Sequence, residues 1–291
     1  MFLEHIDQEL RRIESRISES TSQDELLREL RHLGLEDFGL LLISMPNPAY
    51  PGISRILPRM AADDIQRSWT GNSGETLLKQ TCAFVRSVAH NFCRFTGKTL
   101  DNANILDFGC GYGRIARLMY HFSDTDKVVG VDPWQQSIDI CHADGLGPNF
   151  LLSEYLPQDL PVGDRRFDLI YAFSVFTHLS ERATRASMQT LLRYLKPDGL
   201  LVITIRPVEY WFHDPGARQL EKVQQQIDVH REKGFSFLPH NRPAVDGDIT
   251  YGDTSMTFEW IRNAFPDIEV LGTDRSMDDA LQSYVFLRRT A

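Results

Sequence analysis

The sequence has no apolar run approaching the ~18 residues of a bilayer-spanning helix, and its first residues, MFLEHIDQEL, carry acid where a secretory leader carries base. Membrane insertion and export are not expected, and the chain reads as a soluble, cytoplasmic protein. Cysteine is scarce and scattered: Cys82, Cys93, Cys110 and Cys141 form no C-x-x-C pair and stand at no spacing with histidine that builds a zinc site. That pattern excludes a disulfide scaffold, gives no metal site, and fits a reducing compartment. Basic charge is also short, since 31 Lys and Arg against 40 Asp and Glu leave a net charge of −9. A nucleic-acid backbone or an anionic membrane would be repelled on average, so neither is an expected partner.

What is present is the composition of a folded chain, 42% hydrophobic and 10% aromatic over 291 residues. Leu3, Ile6, Leu10, Ile13 and Ile17 lie on one helical stripe, and Ser22 with Glu25 has the pattern of a capping box opening a second short helix that Gly34 ends. These helices either dock on the main domain or form a homodimer contact. Prolines 46, 48, 51 and 58 mark an irregular connector, and Ser73 precedes a longer helix reaching about Phe95 and closed by Gly97. From there short β-rich runs alternate with helical patterns. The predicted strands are Asn104 to Phe108, Lys127 to Val131, Phe150 to Leu152, Asp168 to Phe173 and Leu200 to Ile205. The predicted helices are Gly113 to Phe122, Trp134 to Ala143 and Glu181 to Leu195. This is the rhythm of a doubly wound α/β fold, a mostly parallel sheet with helices on both faces. Only about ten polar residues join the last strands, Ile268 to Gly272 and Ser283 to Leu287, too few for a parallel crossover, so this pair is expected antiparallel. The domain reading is a helical extension over 1–73 and a main domain over 74–291. An insertion at about 207–253 holds a polar helix near Gln219 to Lys233 and a loop with Phe235, Phe237, His240, Tyr251 and Gly252; excursions of this length are usually lids or binding elements.

The chemistry concentrates in Asp107-Phe108-Gly109-Cys110-Gly111-Tyr112-Gly113-Arg114, which follows a strand and opens a helix. Alternate glycines let the backbone turn tightly and a ligand approach it closely. The next strand ends at Asp132, where an acid can accept from both hydroxyls of a ribose. A dinucleotide fingerprint would want a small residue at position 114, which is Arg, so a nucleoside cofactor with an amino-acid tail suits the turn better than a pyrophosphate.

On ILDFGCGYGR at 105–114, VVGVDPW at 128–134, FDLIYAFSVFTHLSE at 167–181, LKPDGLLVIT at 195–204 and the closing YVFLRR at 284–289, the chain resembles the Rossmann-like (class I) S-adenosylmethionine-dependent methyltransferases over roughly residues 74–291. The resemblance implies a seven-stranded sheet whose last strand is inserted antiparallel, with S-adenosylmethionine as cofactor and S-adenosylhomocysteine as product. It places Asp107, Gly109, Cys110, Gly111, Tyr112, Gly113 and Arg114 around the methionine part, Asp132 on the ribose, and Pro133 and Trp134 beside the adenine. Ser153, Glu154 and Tyr155 fall where the adenine amino group is commonly met, although the usual Gly-Asp or Asp-Ala pair is missing there. Phe173 and Ser174 would face the same cleft. Cys110 reads as a small residue fitting the turn rather than a nucleophile.

The sulfonium is an activated methyl donor, so transfer needs mainly alignment and somewhere for the acceptor's proton to go. His178, His213 and His240 are candidate bases; of these His178 is the first choice as catalytic residue, its other reading being a brace for the strand end. Tyr210, Trp211, His213, His240 and Tyr251 supply polar and aromatic surface for a small-molecule or glycan acceptor, and Trp69, Gly71 and Gly74 stand to form part of the same mouth. Trp211, Phe212, Phe235 and Phe237 also read as the insertion's own core. The expected activity is O-methylation. Competing readings are a nicotinamide-dependent oxidoreductase on the same fold, or a non-catalytic protein that binds S-adenosylmethionine or S-adenosylhomocysteine.

Overall fold

Each helix of the N-terminal region forms where a local signal starts it. The computed structural model describes residues 3–213 and 220–290. A 3-10 turn at Glu4–Ile6 leads into α1 (Asp7–Glu14), which buries Leu10 and Ile13 within the chain, so most of the stripe left open between docking and a dimer contact is already covered. In α2 (Gln23–Leu30) the capping box is formed: the Ser22 side chain accepts from the Glu25 N–H, and the Glu25 carboxylate accepts from the Ser22 N–H at 2.8 Å. The connector is not irregular. It holds α3 (Leu35–Ile43), α4 (Pro51–Ile56) and α5 (Asp63–Thr70), because Pro51 sits in the first turn of α4, where its missing N–H costs nothing. The Glu14 carboxylate accepts from the Gly52 and Ile53 N–H groups at 2.5 and 2.8 Å and so caps that helix. The long helix is α6 (Gly74–Thr96).

The chain divides into two compact units, Met1–His90 with Thr99–Leu152, and Asn91–Lys98 with Ser153–Ala291. In the first, β1 (Ile105–Phe108), α7 (Arg114–Met119), β2 (Val128–Asp132), α8 (Gln135–Ala143) and β3 (Phe150–Leu152) follow in turn. β2 pairs parallel with β1 and with β3. The N-terminal helices dock inside this unit: Arg28 and Arg31 both bind the Asp124 carboxylate between α7 and β2, and Asp24 accepts from the Thr125 N–H at 2.8 Å.

The second unit contains β4 (Phe167–Ala172), α9 (Glu181–Tyr194), β5 (Leu195–Ile205), α10 (Tyr210–His213), α11 (Leu220–Lys233), β6 (Phe235–Pro239), β7 (Gly252–Met256), α12 (Phe258–Ala264), β8 (Ile268–Arg275) and β9 (Ser283–Arg289). β4 and β5 are parallel, and β9 runs antiparallel to both β5 and β8. The seven strands of the main sheet take the order β3-β2-β1-β4-β5-β9-β8, the mostly parallel sheet with antiparallel closure expected from the sequence. The insertion departs from expectation: β6 and β7 form a separate antiparallel pair where a loop was predicted. Gln219, the predicted start of the polar helix, lies outside the described residues. Among the described residues no helix is long and apolar enough to cross a membrane.

Packing in the first unit leaves no room at Gly130 in the middle of β2. A Cβ there would lie 2.4 Å from the Phe150 ring and 3.0 Å from the Cys110 Cβ. Gly130→Ala should therefore lower stability by about 1–3 kcal/mol through overpacking, read as a reduced urea midpoint at unchanged slope.

Candidate functional site

The glycine turn is held in shape by one carboxylate. Gly109, Gly111 and Gly113 all have φ between +53 and +75°, the left-handed region that favours glycine. Gly109 and Cys110 donate their N–H groups to the Val131 carbonyl at 2.8 and 3.1 Å, tying the turn to the end of β2. Asp132, 8% exposed, accepts from the Gly111 N–H through Oδ2 and from the Trp134 N–H through Oδ1, both at 2.9 Å. Burial raises its pKa, while these backbone donors and Ser137 pull it back. Three donors leave one of the carboxylate's roughly four acceptor sites, so the structural role seen here leaves acceptor capacity for a ribose hydroxyl.

The three glycines do different jobs. A Cβ on Gly113 would meet Leu146 at 2.8 Å and the Arg117 guanidinium at 3.1 Å, so glycine is needed there for packing. Among the described residues a Cβ on Gly111 would meet the Trp69 ring at 4.0 Å, an ordinary contact, so glycine is needed there for its φ of +53° rather than for packing.

Supporting residues escaped the sequence reading. Arg117, fully buried, donates from Nε and Nη2 to the Arg59 carbonyl at 2.9 and 2.6 Å and from Nη1 to the Tyr112 carbonyl, joining the turn to the segment before α5. Arg114 binds Thr81 Oγ1 at 2.5 Å and Gln80 Oε1 at 3.0 Å on α6, so its head group is held by that helix. Burial, followed by the neighbouring Cys141, pushes the Cys110 thiol well up, which fits a packing residue rather than a nucleophile. Asp107 and Tyr112 are buried, Pro133 is half-buried, and Trp134 is 46% exposed.

In the second unit, Ser153 is half-buried and Glu154 and Tyr155 are exposed. Phe173 and Ser174 cap β4: Ser174 has φ +59°, and its N–H donates to Thr204 Oγ1 of β5 at 2.7 Å. The histidine pointed to first is committed on both nitrogens. His178 Nδ1 donates to the Gly252 carbonyl at 2.7 Å, which makes Nε2 the acceptor facing the Arg206 guanidinium at 3.2 Å. Burial and then Arg206 push its pKa down to about 4, against the opposing pull of Gly252 and Asp253. This geometry is that of the brace.

Asp253 organises the neighbourhood. It accepts from Arg206 Nη1 at 2.6 Å, from the Tyr210 hydroxyl at 2.8 Å and from His240 Nε2 at 2.7 Å. Burial opposes its ionisation, yet the His240 hydrogen bond, the Arg206 charge and the Tyr210 hydrogen bond prevail and hold its pKa below the usual carboxylate value. The contact sets the His240 proton on Nε2 and leaves Nδ1 as acceptor, on a side chain 40% exposed. Tyr251 stacks on His178 with centroids 4.9 Å apart, and the Arg206 guanidinium lies 3.9 Å from the Tyr210 ring centre. Trp211 is not surface: it is fully buried against Ile227, and its indole N–H donates to Ser255 Oγ at 2.7 Å. Phe212 is 63% exposed, outside the core once expected to hold it, and His213 is exposed at the end of α10. A cleft of about 470 Å³ opens at the end of β5, lined in part by Pro207, Glu209, Met256, Arg275 and Ser283. Its volume suits a small metabolite.

Parallel strands with a glycine turn after β1 and an acid closing β2 form a Rossmann-like arrangement. Residues 105–199 match the family model described as a methyltransferase domain. A glycine/sarcosine/dimethylglycine N-methyltransferase of Actinopolyspora halophila is 30% identical over 147 residues, 47% of this chain but only 25% of that protein. The chain thus spans about a quarter of that relative's length. A ubiquinone biosynthesis O-methyltransferase of Bartonella tribocorum is 28% identical over 186 residues, 59% of this chain and 72% of that protein. A solved S-adenosylmethionine-dependent methyltransferase from Clostridium acetobutylicum, 12% identical, matches with a TM-score of 0.50 over 78% of this chain and 97% of that one, which shows a shared fold. Residues 105–199 are thus similar to a methyltransferase domain, carried on a mostly parallel seven-stranded sheet.

His178 has a measurable signature. The folded chain binds its proton near pH 4 and the unfolded chain near 6.5, so stability from the neutral ring is complete above about 6.5 and is lost as pH falls towards 4. The loss should reach about 3 kcal/mol. His178→Gln keeps a donor for Gly252 and an acceptor for Arg206 without titrating. Its stability difference from the parent should therefore shift across that window in urea unfolding at several pH values.

Proposed function

We propose that the chain transfers a methyl group from S-adenosylmethionine to a hydroxyl of a small-molecule metabolite or glycan, with His240 as general base. The observation that carries this reading is the His240–Asp253 pair: an ionised, hydrogen-bonded carboxylate orients an accessible imidazole and leaves one ring nitrogen ready to accept a proton. An alcohol acceptor needs such a group near neutral pH, whereas a thiol or amine needs less help. The O-methyltransferase relative supports the choice of oxygen, and the N-methyltransferase relative supplies its main rival.

S-adenosylmethionine, held by the residues around the glycine turn, would supply an activated methyl group on its sulfonium for attack by the acceptor oxygen. This chain's residues do the remaining work. His240 Nδ1 takes the hydroxyl proton, and Asp253 stabilises the resulting imidazolium, its own charge balanced by Arg206. Tyr210 and Tyr251 present polar-edged aromatic surface to the acceptor, and Trp211, being core, supports the insertion from within. At the cofactor end, Asp132 receives a ribose hydroxyl and Gly109 and Gly111 admit the amino-acid tail against backbone. Asp107, Pro133 and Trp134 complete that wall.

Asp132→Ala should weaken S-adenosylhomocysteine binding at least tenfold by calorimetry, and unchanged affinity would remove it from the ribose. His240→Ala should lower kcat by about 10²–10⁴ in a labelled-methyl screen while cofactor affinity holds. Turnover of amines alone, or undiminished turnover in that variant, would overturn the hydroxyl reading.

A further inference from the structure

Two of the four tryptophans are core residues, Trp211 fully buried and Trp260 9% exposed. The other two are spent differently. Trp69 on α5, half-buried, stacks on Trp134, 46% exposed, with ring centroids 4.6 Å apart and planes at 28°. Trp69 also lies 5.7 Å from the Tyr112 ring and 4.0 Å from the Cβ position on Gly111. The indole therefore lies over the glycine turn, beside the Asp132 carboxylate that binds the Trp134 N–H.

A third flat ring placed between two others needs about 7 Å between their centres, twice a carbon contact distance. The observed stack is narrower than that. For a ring to enter, the helix carrying Trp69 must yield at one end, and its C-terminal side is held by hydrogen bonds at or near the surface, Gly74 N–H to Gln66 Oε1 at 3.2 Å and Arg67 to Ser73 Oγ at 2.8 Å. On its N-terminal side Arg117 grips the Arg59 carbonyl, and the Gln66 amide donates to the Ala61 carbonyl at 2.6 Å. On its C-terminal side Gly71 and Gly74 have φ +81 and +58°, with nothing within 4 Å of either Cβ position. Gln66 is the one buried residue of the helix.

We infer that Trp69 is the movable second wall of the base pocket: it rests on Trp134, swings out by about 3 Å on the Gly71–Gly74 pivot, and closes again with the adenine ring stacked between the two indoles. The inference rests on the S-adenosylmethionine reading above. Two π-faces select a flat aromatic base without reading its edge, while Asp132 and the glycine turn hold the rest of the ligand. The closed stack also slows both arrival and departure of the ligand, since each requires the indoles to part.

The test is stopped-flow and calorimetric binding of S-adenosylhomocysteine and of adenosine to the full chain. Trp69→Ala should weaken both ligands by about tenfold, the worth of one base–aromatic stack, and should raise association and dissociation rates together. Trp69→Phe, which keeps a flat ring on the same backbone, should recover most of the affinity and separates lost stacking from lost folding. Trp134→Ala combined with Trp69→Ala should cost less than the two single losses added, because one ring cannot be sandwiched by an absent partner. Unchanged affinity and rates in Trp69→Ala, or loss for S-adenosylhomocysteine but not for adenosine, would overturn the gate. Failure of the unsubstituted chain to bind S-adenosylhomocysteine would instead overturn the cofactor reading beneath it.

Discussion

The Asp132 carboxylate is the constraint on which the first unit depends. A buried carboxylate is costly, and the cost is tolerable here because two backbone N–H groups, from Gly111 and Trp134, point at it from opposite sides. The same two bonds fix the turn after β1 against the turn after β2. An acid at the end of the second strand is usually considered for what it offers a ribose, but its first effect is on its own chain. It pre-forms the cleft, so less ordering remains when a ligand arrives. Arg117 extends the effect outward: its buried guanidinium joins the Tyr112 carbonyl of the turn to Arg59 in the segment leading to α5.

In the second unit, burial and then the Arg206 charge set the state of His178. His178 sits at the end of β4 in the FTHL segment, where sequence pattern draws attention to it, but the Arg206 charge and the Gly252 carbonyl fix it as a neutral brace. The Arg206 guanidinium that suppresses proton uptake at His178 also helps keep Asp253 ionised, and Asp253 in turn orients His240. One cation therefore bears on two imidazoles whose rings lie 6.4 Å apart, on His178 directly and on His240 through Asp253.

Most of the sheet was legible because its strands are apolar and its turns carry glycine or acid; β3 coincides with its prediction and the other strand starts agree to within a residue, except in β5. That strand begins five residues early, at Leu195, because the Lys196-Pro197-Asp198-Gly199 segment, which reads as a turn, continues the strand through a register shift against β4. Helix α4 was hidden by Pro51, a proline that marks a start rather than a break. The β6–β7 pair was hidden because Thr254 and Ser255, fully buried, carry no apolar signal. Arg206 and Asp253 were invisible as a pair: 47 residues separate them, and neither stands in a motif.

The surface tryptophan pair is poor value if stability is its only purpose. An aromatic pair contributes about 0.5–1.5 kcal/mol beyond its buried area, and this one leaves Trp134 nearly half in water while mounting its partner on a helix with a single buried residue. Core tryptophans in the same chain show the alternative, for Trp211 reaches full burial with its N–H satisfied by Ser255. What the pair does possess is position. The Trp69 ring lies 4.0 Å from the Cβ position of Gly111, an ordinary contact, so packing does not exclude a side chain there. What requires glycine is the backbone, whose φ of +53° would be strained in any other residue. The turn is thus shaped by its own dihedrals, and the tryptophan pair stands beside it as a separate element, the wall of the proposed base pocket.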